Sequence, residues 1–321
     1  MKAAYIKTTT GYDSIRYGEF PEPNVGAHEV LIQVEACSVN VVDTLICQGI
    51  YQTPMTFPAV LGRDAIGVIL AVGSAVTKFK VGERVWTNSM GYANRQGVTA
   101  ERIAVPENRL FLAPENVDPR ALIASVHPAA TAEIVLDSVM NLQPGETLLV
   151  EGAAGHVGKR LVELANERGA TALTTSAPHD FEKLQQLGAT HCFDYHDENL
   201  KAHIQQVVPT KMDHIIDTSG KVALQANLDL LAVGGQITMI TAPSETTFAG
   251  LDFYTSDQVI QGFVISRASL EQIMAAGEKI NAYFAQGKLL ETEITVRPLS
   301  EIQQAYQQVK TTKERMVLVP E

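Results

Sequence analysis

The chain has 321 residues, 45% hydrophobic and 19% charged, a globular composition too long for one ordinary core, so two domains are expected. Its formal net charge of −11 argues against nucleic acid or an anionic membrane as partner, and an anionic cofactor would need local positive or dipolar help. The three cysteines, Cys37, Cys47 and Cys192, are odd in number and scattered, as expected of free thiols in a reducing compartment. Residues 1–7 lack the apolar core of a signal peptide. The longest apolar run, residues 65–76, is broken by Gly67 and Gly73 and is too short to span a bilayer, so a cytoplasmic location is expected.

In chain order, residues 30–35, 67–72, 84–87 and 102–105 read as short strands. Turn signals at Pro21-Glu22-Pro23, Lys80-Val81-Gly82-Glu83 and Pro114-Glu115-Asn116 punctuate them and predict a compact β-rich domain. From about Asp118 the texture changes. Residues 121–140 read as a helix kinked near Pro128. Strand Thr147–Glu151, helix 157–168, strand 171–175, helix 180–187 and strand 192–194 follow. Helix 198–207, strand 214–217, helix 222–231 and strand 236–240 complete the alternation, which builds a parallel sheet with right-handed crossovers. A helix over 270–286, a strand over 293–296, a helix near 301–310 and a strand over 316–319 return the tail to the first domain.

Strand Thr147–Glu151 runs straight into Gly152-Ala153-Ala154-Gly155-His156-Val157-Gly158 and then an amphipathic helix. A strand that breaks at small residues and re-forms as a helix leaves the first helical N–H groups unpaired, where a pyrophosphate sits at the positive end of the dipole. Gly155 lets the backbone approach the phosphates, and Gly158 lets the helix pack closely on the strand. Ala153 stands where G-x-G-x-x-G has its first glycine, so the strand–turn–helix setting, more than the string, carries the reading; a tight turn without ligand is the alternative. The second strand ends Thr174-Thr175-Ser176, where a carboxylate would hold an adenosine 2′-hydroxyl and small hydroxyls would accept a 2′-phosphate.

The order of motifs resembles the medium-chain dehydrogenase/reductase superfamily, within it the zinc-free quinone oxidoreductase, or zeta-crystallin, branch. The residues that carry the likeness are 36–44, Gly49-Ile50-Tyr51, Gly62-Arg63-Asp64 with Gly67, and Val81-Gly82-Glu83-Arg84-Val85. Gly152 to Gly158, Asp194-Tyr195, Asp217-Thr218-Ser219-Gly220 and Gly234-Gly235 extend it over the whole chain. The resemblance implies an α/β fold with a Rossmann nucleotide-binding domain inserted into a β-rich GroES-like domain: residues 1–122, 123–260 and 261–321. It also implies a homodimer, formed near residues 249–254.

The resemblance places the metal-ligand positions of zinc-dependent relatives at Asn40, Arg63 and His127. An amide is a poor zinc donor and a guanidinium is none, and no cysteine lies between Trp86 and Arg109 for a structural lobe, so no zinc is expected. Ser176, His179, Tyr195 and Lys310 fall where the family holds the 2′-phosphate, against Asp180 where some relatives have Lys; NADPH is favoured over NADH. Ser219 and Ile240 join the implied cofactor contacts, and Thr131 the nicotinamide edge. Asn40 and Tyr51 are implied as neutral donors to a carbonyl oxygen, and Asp43 as their orienter, a proton relay or a partner of Arg63. Arg63 either binds an anionic substrate group or pairs with Asp43 or Asp64. Leu45 and Cys47 depart from relatives that have Tyr and Arg there. The implied activity is zinc-independent, NADPH-dependent hydride transfer to a quinone or α,β-unsaturated carbonyl. An enoyl-thioester reductase, for which Arg63 and Arg267 leave room, and a cofactor-binding protein with little turnover are the alternatives.

Overall fold

In the computed structural model, which describes residues 1–241, 245–312 and 314–321, Val30, Ile32 and Val34 recur at every second position and bury one face of strand Glu29–Ser38, with Glu29, Leu31, Gln33 and Glu35 half-buried between them. That strand is the hub of a seven-stranded sheet. Ala65–Val72 and Arg102–Pro106 flank it, and Arg84–Thr87 and Leu110–Leu112 continue on one side. The tail closes the other side: Arg315–Val319 pairs antiparallel with Glu29–Ser38 through Val317↔Ser38 and Leu318↔Cys37, and parallel with Ile294–Pro298. A smaller sheet of Arg16–Glu19, Lys2–Ile6 and Ala59–Val60 joins the same apolar core, in which Ile6, Val30, Ile69, Val85, Val105 and Leu299 are buried. Removing such side chains from water is what holds the sheets together.

Six parallel strands form the second sheet, in the spatial order His191–Asp194, Thr171–Ser176, Thr147–Glu151, Met212–Asp217, Leu231–Met239 and Val259–Gly262. The central strands read as near-continuous apolar runs because helices cover a parallel sheet on both faces. Leu149, Leu173, Ile215 and Ile237 sit at its core.

The chain divides into two compact units, Met1–His127 with Ser269–Glu321, and Pro128–Ala268. The joins fall at 127/128 and 268/269, later than the 122/123 and 260/261 read from sequence. Hydrogen bonds from Glu291 N to Ser125 Oγ (2.7 Å) and from Arg315 Nε to the Ala124 carbonyl (2.9 Å) tie the start of helix Pro119–Ile134 to the first unit. The edge strand Val259–Gly262 keeps the other join late. Pro128 lies inside that helix and has no N–H, so the Ala124 carbonyl four residues back is left for Arg315. The helical stretch Pro119–Val139 is long and apolar enough to cross a membrane by length and composition, a stretch sequence reading passed over. Of its most apolar window, 78% is buried inside the protein, as in a core helix.

Candidate active site

In the second unit the strand order reverses direction between Thr147–Glu151 and Met212–Asp217, and ligands of such sheets bind beyond the carboxyl ends of strands at that switch point. Gly152 takes φ +69°, and a Cβ there would lie 2.8 Å from Thr218 Oγ1, which donates to the carbonyls of Glu151 (2.8 Å) and Gly152 (3.0 Å). Gly155 caps helix His156–Glu167; an added Cβ would meet only the Gly152 carbonyl at 3.3 Å, so the outer side of the turn stays open. At Gly158 a Cβ would fall 2.6 Å from the Ala153 carbonyl oxygen, so only glycine lets the helix lie this close. The N–H groups of the first helical turn have no acceptor within the helix. Beside the turn, Asp217 Oδ1 accepts from the Ser219 N–H (2.7 Å), the Ser219 hydroxyl (2.7 Å) and the Gly220 N–H (3.1 Å), which fixes the facing loop. Gly152, Ala153, Ala154, Gly155, His156, Val157, Gly158 and Ser219 thus gather at one end of the sheet. The open cradle and the helix start fit a dinucleotide pyrophosphate.

Ser176, which ends strand Thr171–Ser176, accepts at its carbonyl from the Tyr195 N–H (3.3 Å), so those two expected residues lie together. Tyr195 is about half exposed, and the His179 ring lies 3.4 Å from Asp180. Ile240 follows strand Leu231–Met239. Lys310, exposed, belongs to the other unit. Sequence reading missed Glu151, buried at the end of its strand and bonded by Asn227 Nδ2 (2.7 Å). Burial, and then Asp217, push its carboxyl up to about 8 against the Asn227 hydrogen bond, so it is mostly neutral at pH 7.

In the first unit, Asn40 precedes the short helix Val41–Cys47 and its N–H donates to Asp43 Oδ2 (3.1 Å). The Asn40 amide donates to Ser38 Oγ (3.1 Å) and Asp64 Oδ2 (2.8 Å), and its carbonyl accepts from Arg315 Nη2 (2.9 Å). Both amide hydrogens are therefore engaged, and the residue is buried. Asn40 thus joins Asp64 to Arg315. Ser38 lies within the stretch 36–44 that carries the family likeness, whereas Arg315 belongs to no motif that sequence reading used.

Asp64 is fully buried and accepts from Ser38 Oγ (3.0 Å), Asn40 and the Ser89 N–H (3.1 Å), with His127 Nδ1 at 3.4 Å. Burial alone would raise its pKa, but His127, the Ser89 N–H and Arg63 together hold it below the usual value. Asp43 differs: burial pushes it up to about 6, with Asp64 adding and Arg63 and His127 opposing. The Arg63 Nε lies 3.3 Å from Asp43 Oδ1, and the guanidinium is only 1% exposed. Of the two acids that sequence offered Arg63, Asp43 is the one in ion-pair contact with it. Tyr51 and Tyr92 lie parallel with hydroxyls 3.5 Å apart. Thr131, in helix Pro119–Ile134, is buried. Cys37 and Cys47 are buried free thiols that desolvation pushes up to about 12, which leaves them protonated.

Zinc needs thiolate, imidazole or carboxylate donors converging on one point. Here Asn40 is engaged by Ser38, Asp64 and Arg315, Arg63 is a permanent cation, and His127 faces Asp64. Among the described residues no group of three or more His, Cys, Asp or Glu is arranged to hold a metal. The donor set does not fit the ion.

A switch-point phosphate cradle in one unit and a buried polar network in a β-rich one define a dehydrogenase/reductase architecture. Residues 26–115 match the family model described as the alcohol dehydrogenase GroES-like domain, and residues 157–279 match that of zinc-binding dehydrogenases. The chain belongs to the medium-chain dehydrogenase/reductase superfamily, in its quinone oxidoreductase branch. It is 29% identical over 284 residues to human quinone oxidoreductase, covering 88% of this chain and 85% of that protein. It is 27% identical over 335 residues to the human synaptic vesicle membrane protein VAT-1 homolog, covering 97% and 84%. The structure of Escherichia coli quinone oxidoreductase complexed with NADPH superposes with a TM-score of 0.84 over 100% of both chains, at 20% identity.

Proposed function

We propose that this chain is a zinc-independent reductase that uses NADPH to reduce a quinone or an α,β-unsaturated carbonyl. The observation that carries the reading is the open glycine turn at the switch point, with Gly158 packed on Ala153 so closely that no side chain fits. NADPH bound there supplies the hydride. The chain's own part is to hold the phosphates on backbone N–H groups, to receive the 2′-phosphate near Ser176 and Tyr195, and to orient the acceptor. The absence of a carboxylate at Ser176 and the NADPH-bound relative of the same fold support NADPH over NADH.

Reduction adds a hydride, two electrons with one proton, and one further proton that the protein or solvent must deliver to the acceptor. Arg63 offers fixed positive charge in a low-dielectric surrounding, and Tyr51 a phenolic donor, toward the oxygen where charge develops. Asp43, with a pKa near 6, is the group here able to exchange a proton close to neutrality. Without a metal the electrophilic help is modest, which suits acceptors that delocalise the arriving charge. The test is steady-state NADPH and NADH oxidation by the purified protein with a panel of quinones, enones and enals. Turnover with NADPH and a conjugated acceptor is expected; tight NADPH binding with no turnover on the whole panel would sink the proposal. We further propose a cytoplasmic homodimer. Exposed Leu251 and Tyr254 on helix Gly250–Thr255 support the dimer, which sedimentation checks by mass.

A further inference from the structure

In a chain with a net charge of −11, three arginines of the β-rich unit, Arg63, Arg95 and Arg109, gather around Arg95, and Arg63 is the one of them that faces an acid, Asp43. The Arg63 guanidinium is buried, and none of its three nitrogens has a hydrogen-bond acceptor; Asp43 Oδ1 lies 3.3 Å from Nε. Its central carbon lies 5.6 Å from the centre of the Tyr92 ring, and Tyr92 lies parallel to Tyr51. Three residues beyond Tyr92, Arg95 donates from Nη2 to the Ser89 carbonyl (3.2 Å), while its Nε is buried without an acceptor. The same loop is tied back to Arg63, whose carbonyl accepts the Met90 N–H (3.0 Å). Burial first, then Arg109 and Arg63, push Arg95 down to about 10, so the like charges feel one another. Among the described residues neither Arg95 nor Arg109 has an acid within ion-pair distance.

Buried guanidinium donors with no acceptor are expensive, and stability gives no reason to keep them. An oxyanion resolves the deficit, because it accepts several such bonds at once. The cavity lined by Asp43, Gly62 and Gly91 is about 10 Å³, room for one water at most, which offers fewer acceptor sites than the guanidinium has donors. Tyr51, Tyr92 and Arg95 are only partly buried, so the open side of the cluster is theirs.

We propose that Arg63 and Arg95, with the Tyr51 and Tyr92 hydroxyls, form a subsite for a carboxylate or phosphate group carried by the hydride acceptor. That the anion rides on a hydride acceptor rests on the reductase reading; the subsite itself is read by binding. Titration calorimetry with benzoate and with phenyl phosphate, on wild type, R95Q and R95K, separates the two anion sources. At least one anion is expected to bind, with affinity about tenfold weaker in R95Q, the scale of one charge-assisted hydrogen bond, and partly rescued in R95K. Because Arg63→Gln alone strands Asp43, the Arg63 arm uses D43N/R63Q, expected to weaken the same anion by a similar factor. In turnover, trans-4-oxopent-2-enoate is expected to exceed its methyl ester in kcat/KM by about tenfold, a margin that R95Q narrows. Failure of both anions to bind, or binding that R95Q leaves as tight, overturns the subsite. Ester and carboxylate turned over equally well overturns it too and leaves the reductase standing. Anion binding lost in R95Q from a protein that reduces no acceptor has the opposite meaning: the subsite holds and the reductase reading falls.

Discussion

The phosphate turn and the polar network of the β-rich unit solve the same problem, holding charge inside a protein, by opposite means. The turn uses backbone N–H groups and small residues, so its tolerance is set by volume: at Gly158 one added carbon reaches the Ala153 carbonyl. The network uses ionised and amide side chains around Asp64 and Arg63, so its tolerance is set by charge balance. Backbone dipoles cannot be mutated away but can be crowded; a buried ion pair can keep its shape and still fail when one member is neutralised.

The largest effect is expected from crowding. Gly158→Val should lower NADPH affinity by at least ~100-fold, because the helix must move off the strand that aims its N–H groups. Fluorescence titration checks it; affinity within threefold of wild type would show that the turn does not depend on volume. On the other side of the comparison, Asp43→Asn leaves Arg63 buried and unpaired and should cost ~3–5 kcal/mol of stability above pH 6. The double change D43N/R63Q should recover much of that in urea unfolding; equal losses in both would mean that shape, not charge, matters there. Below pH 6 the cost should shrink, since wild-type Asp43 is itself protonated there.

Ser176→Asp sharpens the first half of the comparison by adding charge where only volume has counted. It should shift the ratio of kcat/KM for NADPH over NADH downward by about tenfold or more, through repulsion of the 2′-phosphate. The smallest effect is expected at Glu151. Its carboxyl is raised from 4.5 to about 8, so the folded state binds the proton more tightly than the unfolded one. Stability from this group is therefore present below pH 4.5 and is lost as pH rises through 8. Glu151→Gln, which keeps an acceptor for Asn227, should flatten the fall of Tm between pH 6 and 8.5 by a few degrees; an unchanged slope would show that Glu151 does not carry it.

Backbone-built features were the legible ones. Thr147–Glu151 and Arg84–Thr87 fall where their apolar runs and flanking turns put them, because period and turn chemistry are local. Helix Val41–Cys47 was missed: its Val-Val-Asp-Thr opening favours a strand by propensity, and the Asn40 and Asp43 cap is its only local signal. Edge strand Val259–Gly262 has no alternating face to betray it, being mostly exposed. The pairings of Asp64 with His127 and of Asn40 with Arg315 join residues far apart in sequence, and no spacing rule encodes them. Asn40 shows the same limit: residue type predicts a donor, whereas its neighbours Ser38 and Asp64 decide which acceptors its hydrogens meet.

Arg315 has a consequence for biosynthesis. Pro128 frees the Ala124 carbonyl, Arg315 takes it, and the same guanidinium fixes Asn40, 275 residues earlier. On the ribosome, the β-rich unit must therefore wait with the Cys37–Ser38 end of its central strand unpaired on one side until residues 315–319 emerge. The nucleotide-binding unit, contiguous in sequence, is complete long before. Nascent chains stalled before residue 315 should thus acquire protease resistance in the inserted unit first, with the Cys37–Ser38 end of the central strand open to chaperones meanwhile.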